Sequence, residues 1–185
     1  LHWETITSRS RLHGFRISPH RHDQLYQILY LRGGAATVML DGETFEISPP
    51  AIVIVPPLTV HSFVFSEGVD GFVLTFYIQD VRNGLADIGN AMDGLMRPRI
   101  LKPVAGVLGA DELDHTVERL IAEADRSAPG QVAALRARLS LLLVAAHRLN
   151  LAAARSDESG NAPADRHAHA FLGLVDRHFR DTRKV

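Results

Sequence analysis

A chain of 185 residues with a formal net charge of −1 and no cysteine excludes several classes at once. It has no disulfide framework or thiolate metal site, and no general basic field with which to grip nucleic acid. No apolar run approaches the roughly 20 residues of a membrane span and no signal-like start is present, so a cytoplasmic protein is expected. The aliphatic content and the length suit one well-buried domain with an appendage.

Residues 1–18 read as extended, with Trp3, Thr5, Thr7 and later Phe15 and Ile17 alternating with polar neighbours. If Phe15 and Ile17 face the core, Arg11 and His13 share that face and Arg9 lies beyond them. An arginine at the mouth of a pocket can hold a carboxylate in a bidentate pair. Equally, Arg9 and Arg11 can snorkel to solvent at a strand end. The stretch SPHRHDQLYQ (18–27) comes next. His20 and His22 sit two apart, so on a strand they converge on one side. The turn residues after His22 reset the face before Gln27.

Residues 25–31 form a dense apolar-aromatic strand that ends at Gly33-Gly34. Strands over 35–40 and 43–47 flank Asp41-Gly42, a strong hairpin signal because both turn positions favour positive φ. Pro49-Pro50 ends that hairpin, 52–55 is a short buried strand, and Pro56-Pro57 turns the chain within VPPLTVHSF (55–63). His61 then opens a strand over 61–65, and 71–78 completes the series. Strands punctuated by Gly and Pro at short intervals indicate a sandwich or barrel rather than a βαβ fold.

After Tyr77 the pattern becomes helical. Residues 80–96 predict a short helix or two, broken by Gly84, Gly89 and Gly94. Residues 111–124 carry Leu113, Val117, Leu120, Ile121 and Ala124 on one stripe. The longest helix spans 131–154, where Val132, Leu135, Leu139, Leu142, Ala146, Leu149 and Ala153 keep 3-4 spacing, a seam suited to a homodimer. A second set, Leu141, Val144 and Ala145, covers another face, which also fits a helix buried within one subunit. The polar SDESGNAPAD (156–165) reads as a linker, and a helical pattern resumes over 166–184. His167 and His169 point to nearly opposite sides of such a helix and form no metal site.

Two clusters now stand out: H-x-H followed by Gln27, and P-x-x-x-H ending at His61 after a Gly-bearing hairpin. Their order resembles the cupin double motif. The surrounding words ETITSRSRLHGF, PHRHDQLYQILYL, VMLDGETFEISPP and VPPLTVHSFVFS resemble the sensor domain of AraC/XylS-type transcription activators. Within that family they are most similar to the PobR-like branch, which responds to 4-hydroxybenzoate and related aromatic acids. The resemblance implies a mainly β fold with C-terminal helices, a cupin-type antiparallel β-barrel (jelly-roll) followed by a helical dimerisation unit. The expected division is a barrel over 1–105, a helical unit over 106–155, and over 156–185 a linker and the first helix of a helix-turn-helix domain that is cut short. DNA binding would then need that further domain.

Three readings of His20, His22, Gln27 and His61 stay open. They can ligate a divalent transition metal such as Zn, Ni or Fe, although a neutral Gln27 is a weaker ligand than a Glu. They can hydrogen-bond a small organic effector within an apolar cage of Phe15, Leu29 and Phe63. Or they are satisfied polar groups left from an ancestral site. A metal and an effector can coexist, and no organic cofactor is expected. The favoured function is effector sensing by a non-enzymatic regulator that binds a small aromatic carboxylate, with Arg11 as the carboxylate's partner. The alternative is a free-standing metal-dependent cupin enzyme, a dioxygenase or isomerase, since fold alone does not decide function.

Overall fold

The architecture turns on the strand Leu25–Gly33 (β3), buried along most of its length. Tyr26, Ile28 and Tyr30 point to one side, Gln27, Leu29 and Leu31 to the other, as the two-residue repeat of a strand requires. The first set meets helices and the second meets another sheet. The structure, a computed structural model, describes residues 1–160. The chain divides into two units, Leu1–Leu151 and Ala152–Val185. The first contains all of the strands among the described residues and the site they build.

Around β3 the strands are β1 (His2–Thr5), β2 (Arg16–His20), β4 (Ala36–Leu40), β5 (Glu43–Ile47), β6 (Ala51–Val55), β7 (His61–Phe65), β8 (Asp70–Tyr77) and β9 (Arg99–Leu101). Five form one antiparallel sheet in the order β1-β8-β3-β6-β9, and four form a second in the order β2-β7-β4-β5. No ladder joins the two sheets among the described residues, so the expected closed barrel is instead an open two-layer sandwich. The reason lies at the chain's start. β1 pairs with β8 in one sheet, whereas β2 pairs with β7 in the other. The intervening residues carry the chain across and do not continue a ladder.

Those intervening residues correct the extended reading of 1–18. Ile6–Ser10 is a short helix (α1) and Arg11–His13 a 3-10 turn. Thr5 caps α1, its hydroxyl accepting from the Ser8 N–H, as N-cap threonines do. Ile6 is fully buried between the sheets. Gly14 in the left-handed region ends the turn. Strand parity is therefore lost between Thr5 and Phe15, and with it the shared face assigned to Arg11 and His13.

The helices α2 (Ile78–Leu85), α3 (Ala91–Leu95), α4 (Ala110–Ala124) and α5 (Gln131–Gly160) complete the described chain. The outer face of the five-stranded sheet and the apolar stripes of these helices share one core. Tyr26, Ile28, Ile54 and Leu74 lie with Leu113, Val117, Leu120, Leu139, Leu142 and Leu149. Residues expected in separate sections, 1–105 and 106–151, thus bury one another. This corrects the dimer seam. Leu139, Leu142 and Leu149 are at most 4% exposed inside their own chain, so they cannot meet a partner. Leu135 is partly buried on the same core, and Val132 is exposed. A helix with apolar residues on two faces buries the wider stripe first. α5 also runs to Gly160, past the expected linker start at Ser156. The rest of the linker and the helix expected over 166–184, with His167 and His169, lie outside the described residues.

One polar joint ties sheet to helix. Arg32, on β3, makes a two-pronged pair with Asp70 (2.7 and 3.2 Å), reaches Glu118 on α4 at 3.1 Å, and lies 5.3 Å from the Phe72 ring centre. Opposite β3, Gly71 pairs with Leu31 at φ 149°, where any Cβ would collide with the Tyr30 carbonyl. That close approach requires glycine.

Candidate functional site

On the inner face of the four-stranded sheet, His61 is the first residue of β7 and His20 the last of β2, and the two are direct cross-strand partners. His22 lies just past β2, where its carbonyl accepts from the Leu58 N–H at 2.7 Å and fastens the double-proline turn beside the site. The three rings sit together: centroids are 4.3 Å apart for His20–His61, 5.0 Å for His20–His22 and 5.6 Å for His22–His61. The spacing in the sequence predicts this grouping, and the pairing of β2 with β7 produces it.

Their hydrogen bonds set what the rings can do. Nδ1 of His20 lies 2.8 Å from the Ser18 carbonyl and Nδ1 of His61 lies 2.9 Å from that of Thr59. A carbonyl only accepts, so each Nδ1 carries a proton, and in the neutral ring Nε2 is the nitrogen left with a lone pair. Nε2 of His61 and Nε2 of His22 are buried without a partner. One ligand nitrogen from each of the three rings can be chosen so that all lie within 4.8 Å of one another. Two nitrogens on one tetrahedral zinc ion stand about 3.4 Å apart. A modest closing of the rings therefore makes a three-imidazole site, and buried, unpartnered nitrogens are what such an ion would satisfy. Burial holds His61 down to about 4, opposed by its Thr59 bond and assisted by His20, His22 and Arg9. Burial, then His20 and Arg9, also lower His22 against the pull of Asp23. Both rings are neutral donors of a lone pair near pH 7.

Beneath the histidines runs a narrow apolar cleft between the sheets. Leu29, Val55, Phe63, Phe65 and Val73 line it with Ile6, Ile17, Arg9, His20, Gln27 and His61. Its empty space is about 360 Å³, but only about 10 Å³ can take the centre of a water molecule, room for about one water. Phe63 stacks on Phe65 with ring centres 5.5 Å apart. Gln27, opposite Val55 near the start of β3, is buried in the lining, and its amide N–H donates to the Thr75 hydroxyl at 3.3 Å. Outside this cleft a wider one, with about 1430 Å³ of empty space, opens along Glu4, Arg9, Leu12, His13, Arg16 and His20.

Of the residues predicted from sequence, His20, Gln27, Leu29, His61 and Phe63 border the inner cleft, and His22 sits behind it. Phe15 packs on the intersheet core but does not line the cleft. Arg11 is exposed and borders neither space. The arginine at the mouth is Arg9, which borders both. The helical turn over residues 6–13 shifts it there, and Thr5 as an N-cap was the signal for that turn. Arg9 Nη1 is 2.8 Å from Glu4 Oε1, and His2 Nε2 reaches the same oxygen at 2.8 Å. Ile6, Ile17, Val55, Phe65 and Val73 were not singled out as lining residues, because they carry no polar signal.

The family model for the AraC-like ligand binding domain matches residues 2–143. No curated protein matches the chain significantly. Among solved structures, KdgF from Halomonas sp. is 35% identical over 34% of this chain and 56% of its own, with a TM-score of 0.30. A conserved protein of unknown function from Streptococcus pyogenes is 19% identical over 35% of this chain and 54% of its own, also at 0.30. ToxT from Vibrio cholerae is 10% identical over 80% of this chain and 57% of its own, at 0.46. The chain spans a little over half the length of each of these three.

Proposed function

Because this chain belongs to the family of AraC-like ligand binding domains, we propose that it is the effector-sensing domain of a DNA-binding transcription regulator and not an enzyme. The effector we propose is a small aromatic carboxylate of the 4-hydroxybenzoate type. The observation that carries this reading is the pairing of an apolar cleft between sheets with neutral, unpartnered imidazole nitrogens at one end and Arg9 at its mouth. A planar ring suits apolar walls, a hydroxyl can donate to an imidazole lone pair, and a carboxylate suits a guanidinium. His20, His22 and His61 would hold a divalent metal if one is resident, and the ion would supply a Lewis-acidic partner for the same hydroxyl.

The dimer of such a regulator, on this reading, uses the outward side of α5. Ala134, Ala137, Leu141, Val144 and Leu151 keep 3-4 spacing there, interrupted by Arg148, and Leu141 is 62% exposed. The deciding experiment is calorimetry of aromatic acids with wild type, Arg9→Ala and His61→Ala. Loss of the charge-assisted Arg9 bond, about 1.5–3 kcal/mol, predicts about ten- to a hundredfold weaker binding by Arg9→Ala. Loss of a neutral imidazole–hydroxyl bond, about 0.5–1.5 kcal/mol, predicts about two- to tenfold weaker binding by His61→Ala. If 4-hydroxybenzoate and its close relatives bind none of the three proteins, the effector class is wrong.

A further inference from the structure

The inner cleft holds a cation at its mouth and no anion of its own. Among the described residues that line it, Arg9 is the one guanidinium and no carboxylate is present. The outer cleft is similarly unbalanced, with Arg9 and Arg16 against Glu4, the single acid among the described residues that line it. Glu4 answers Arg9 from outside, Oε1 to Nη1 at 2.8 Å, and both side chains are less than a third exposed. The same carboxylate oxygen also takes His2.

We propose that Glu4 is an internal stand-in for the effector's carboxylate: it occupies the guanidinium of Arg9 in the free domain and is displaced when an anionic ligand enters. This rests on the proposed aromatic-acid effector and adds to it a built-in competitor that sets the threshold for anionic ligands. Two features support displacement over simple addition. The inner cleft has room for about one water, so a ligand must move the groups at its mouth. Glu4 also lies on β1, an edge strand of the five-stranded sheet, in register with Val73, which lines the cleft. Releasing Glu4 therefore loosens the wall beside the site and disturbs no central strand. Partial burial works against the charge on Glu4, but the bonds from His2 and Arg9 outweigh it and keep the carboxyl below its ordinary value. The competitor is ionised at neutral pH.

An internal competitor weakens every ligand that needs Arg9 and leaves others alone. The test is calorimetry at pH 7 with benzoate, 4-hydroxybenzoate and neutral benzamide against wild type, Glu4→Gln and the double variant Glu4→Gln with Arg9→Gln. A partly exposed pair predicts that Glu4→Gln binds the two acids up to about fivefold tighter. Benzamide should bind it as it binds wild type, and the double variant should lose the gain. Acids that bind wild type and Glu4→Gln equally would overturn the stand-in while leaving the effector reading intact. An equal gain for benzamide would overturn it too, because Glu4 would then be a steric gate. If neither acid binds any of the proteins, the effector reading falls and the stand-in falls with it.

Discussion

Acidifying the metal-free domain from pH 7 to pH 4 should remove about 3 kcal/mol of stability through His61 alone. The ring is 1% exposed and its Nε2 has no partner, so the fold favours the neutral form. Its pKa is accordingly held down to about 4 against an ordinary 6.5. The unfolded chain therefore takes up the proton first. The stabilisation is fully present above about pH 6.5, declines as the pH falls, and is exhausted below about 4. At about 1.4 kcal/mol per pH unit the window between those values amounts to about 3 kcal/mol. That is a large share of the roughly 5–15 kcal/mol typical of a domain. Urea unfolding at pH 7, 6, 5 and 4 measures it, with His61→Leu as the comparison. His22 and Glu4 lose stability in the same direction, but both remain in the variant, so the difference between the curves isolates His61. Equal acid losses in the two proteins would refute the claim that His61 is buried in the neutral form.

Other parts of the molecule give outcomes that can be checked independently. If the three imidazoles hold a metal, zinc at a hundred times its dissociation constant should stabilise wild type by about 2.7 kcal/mol, and His20→Ala should abolish that gain in thermal melts. Leu141→Glu with Leu151→Glu should convert the proposed dimer to monomers in sedimentation velocity, with the melting temperature changed by only a few degrees because neither side chain is buried in the core. Arg32→Ala should cost about 1 kcal/mol in urea, and less at high salt, because its carboxylate partners are half-exposed and screened.

The strands that carry the site were legible because their signals are local. Asp41-Gly42 gave the hairpin between β4 and β5, and the alternation of β7 placed His61, Phe63 and Phe65 on the buried side. The histidine cluster was legible from spacing, since H-x-H and a downstream turn-H bring rings together wherever β2 and β7 pair. Three features were not legible, and each depends on more than one element. β9 is a three-residue strand that exists because the edge of β6 needs a partner. The choice between the two apolar faces of α5 depends on which one the sheet covers. The identity of the mouth arginine depends on residues 6–13, which leave the strand conformation, and a parity count fails across any such interruption.

The same strand that walls the cleft also anchors the helices, and this gives sensing a physical route. Gln27 and Leu29 face the site while Tyr26, Ile28 and Tyr30, their immediate neighbours, are locked into the helical core. The Tyr26 hydroxyl donates to the Leu95 carbonyl at 2.9 Å. A cleft with room for about one water cannot take an aromatic acid unless the sheets or the α1 segment shift, so on the proposed reading occupancy and conformation are one equilibrium. Switching such an equilibrium from 1:99 to 99:1 needs about 5.5 kcal/mol of differential affinity. An arginine–carboxylate pair at about 1.5–3 kcal/mol and a neutral imidazole–hydroxyl bond at about 0.5–1.5 kcal/mol fall short of that figure even together, so both are needed and burial of the ring must supply the rest. The Glu4–Arg9 pair reduces the first contribution by the strength of the contact it replaces. An effector lacking either the carboxylate or the hydroxyl should therefore bind and yet fail to switch. A set of benzoates compared for both affinity and regulator output would separate the two.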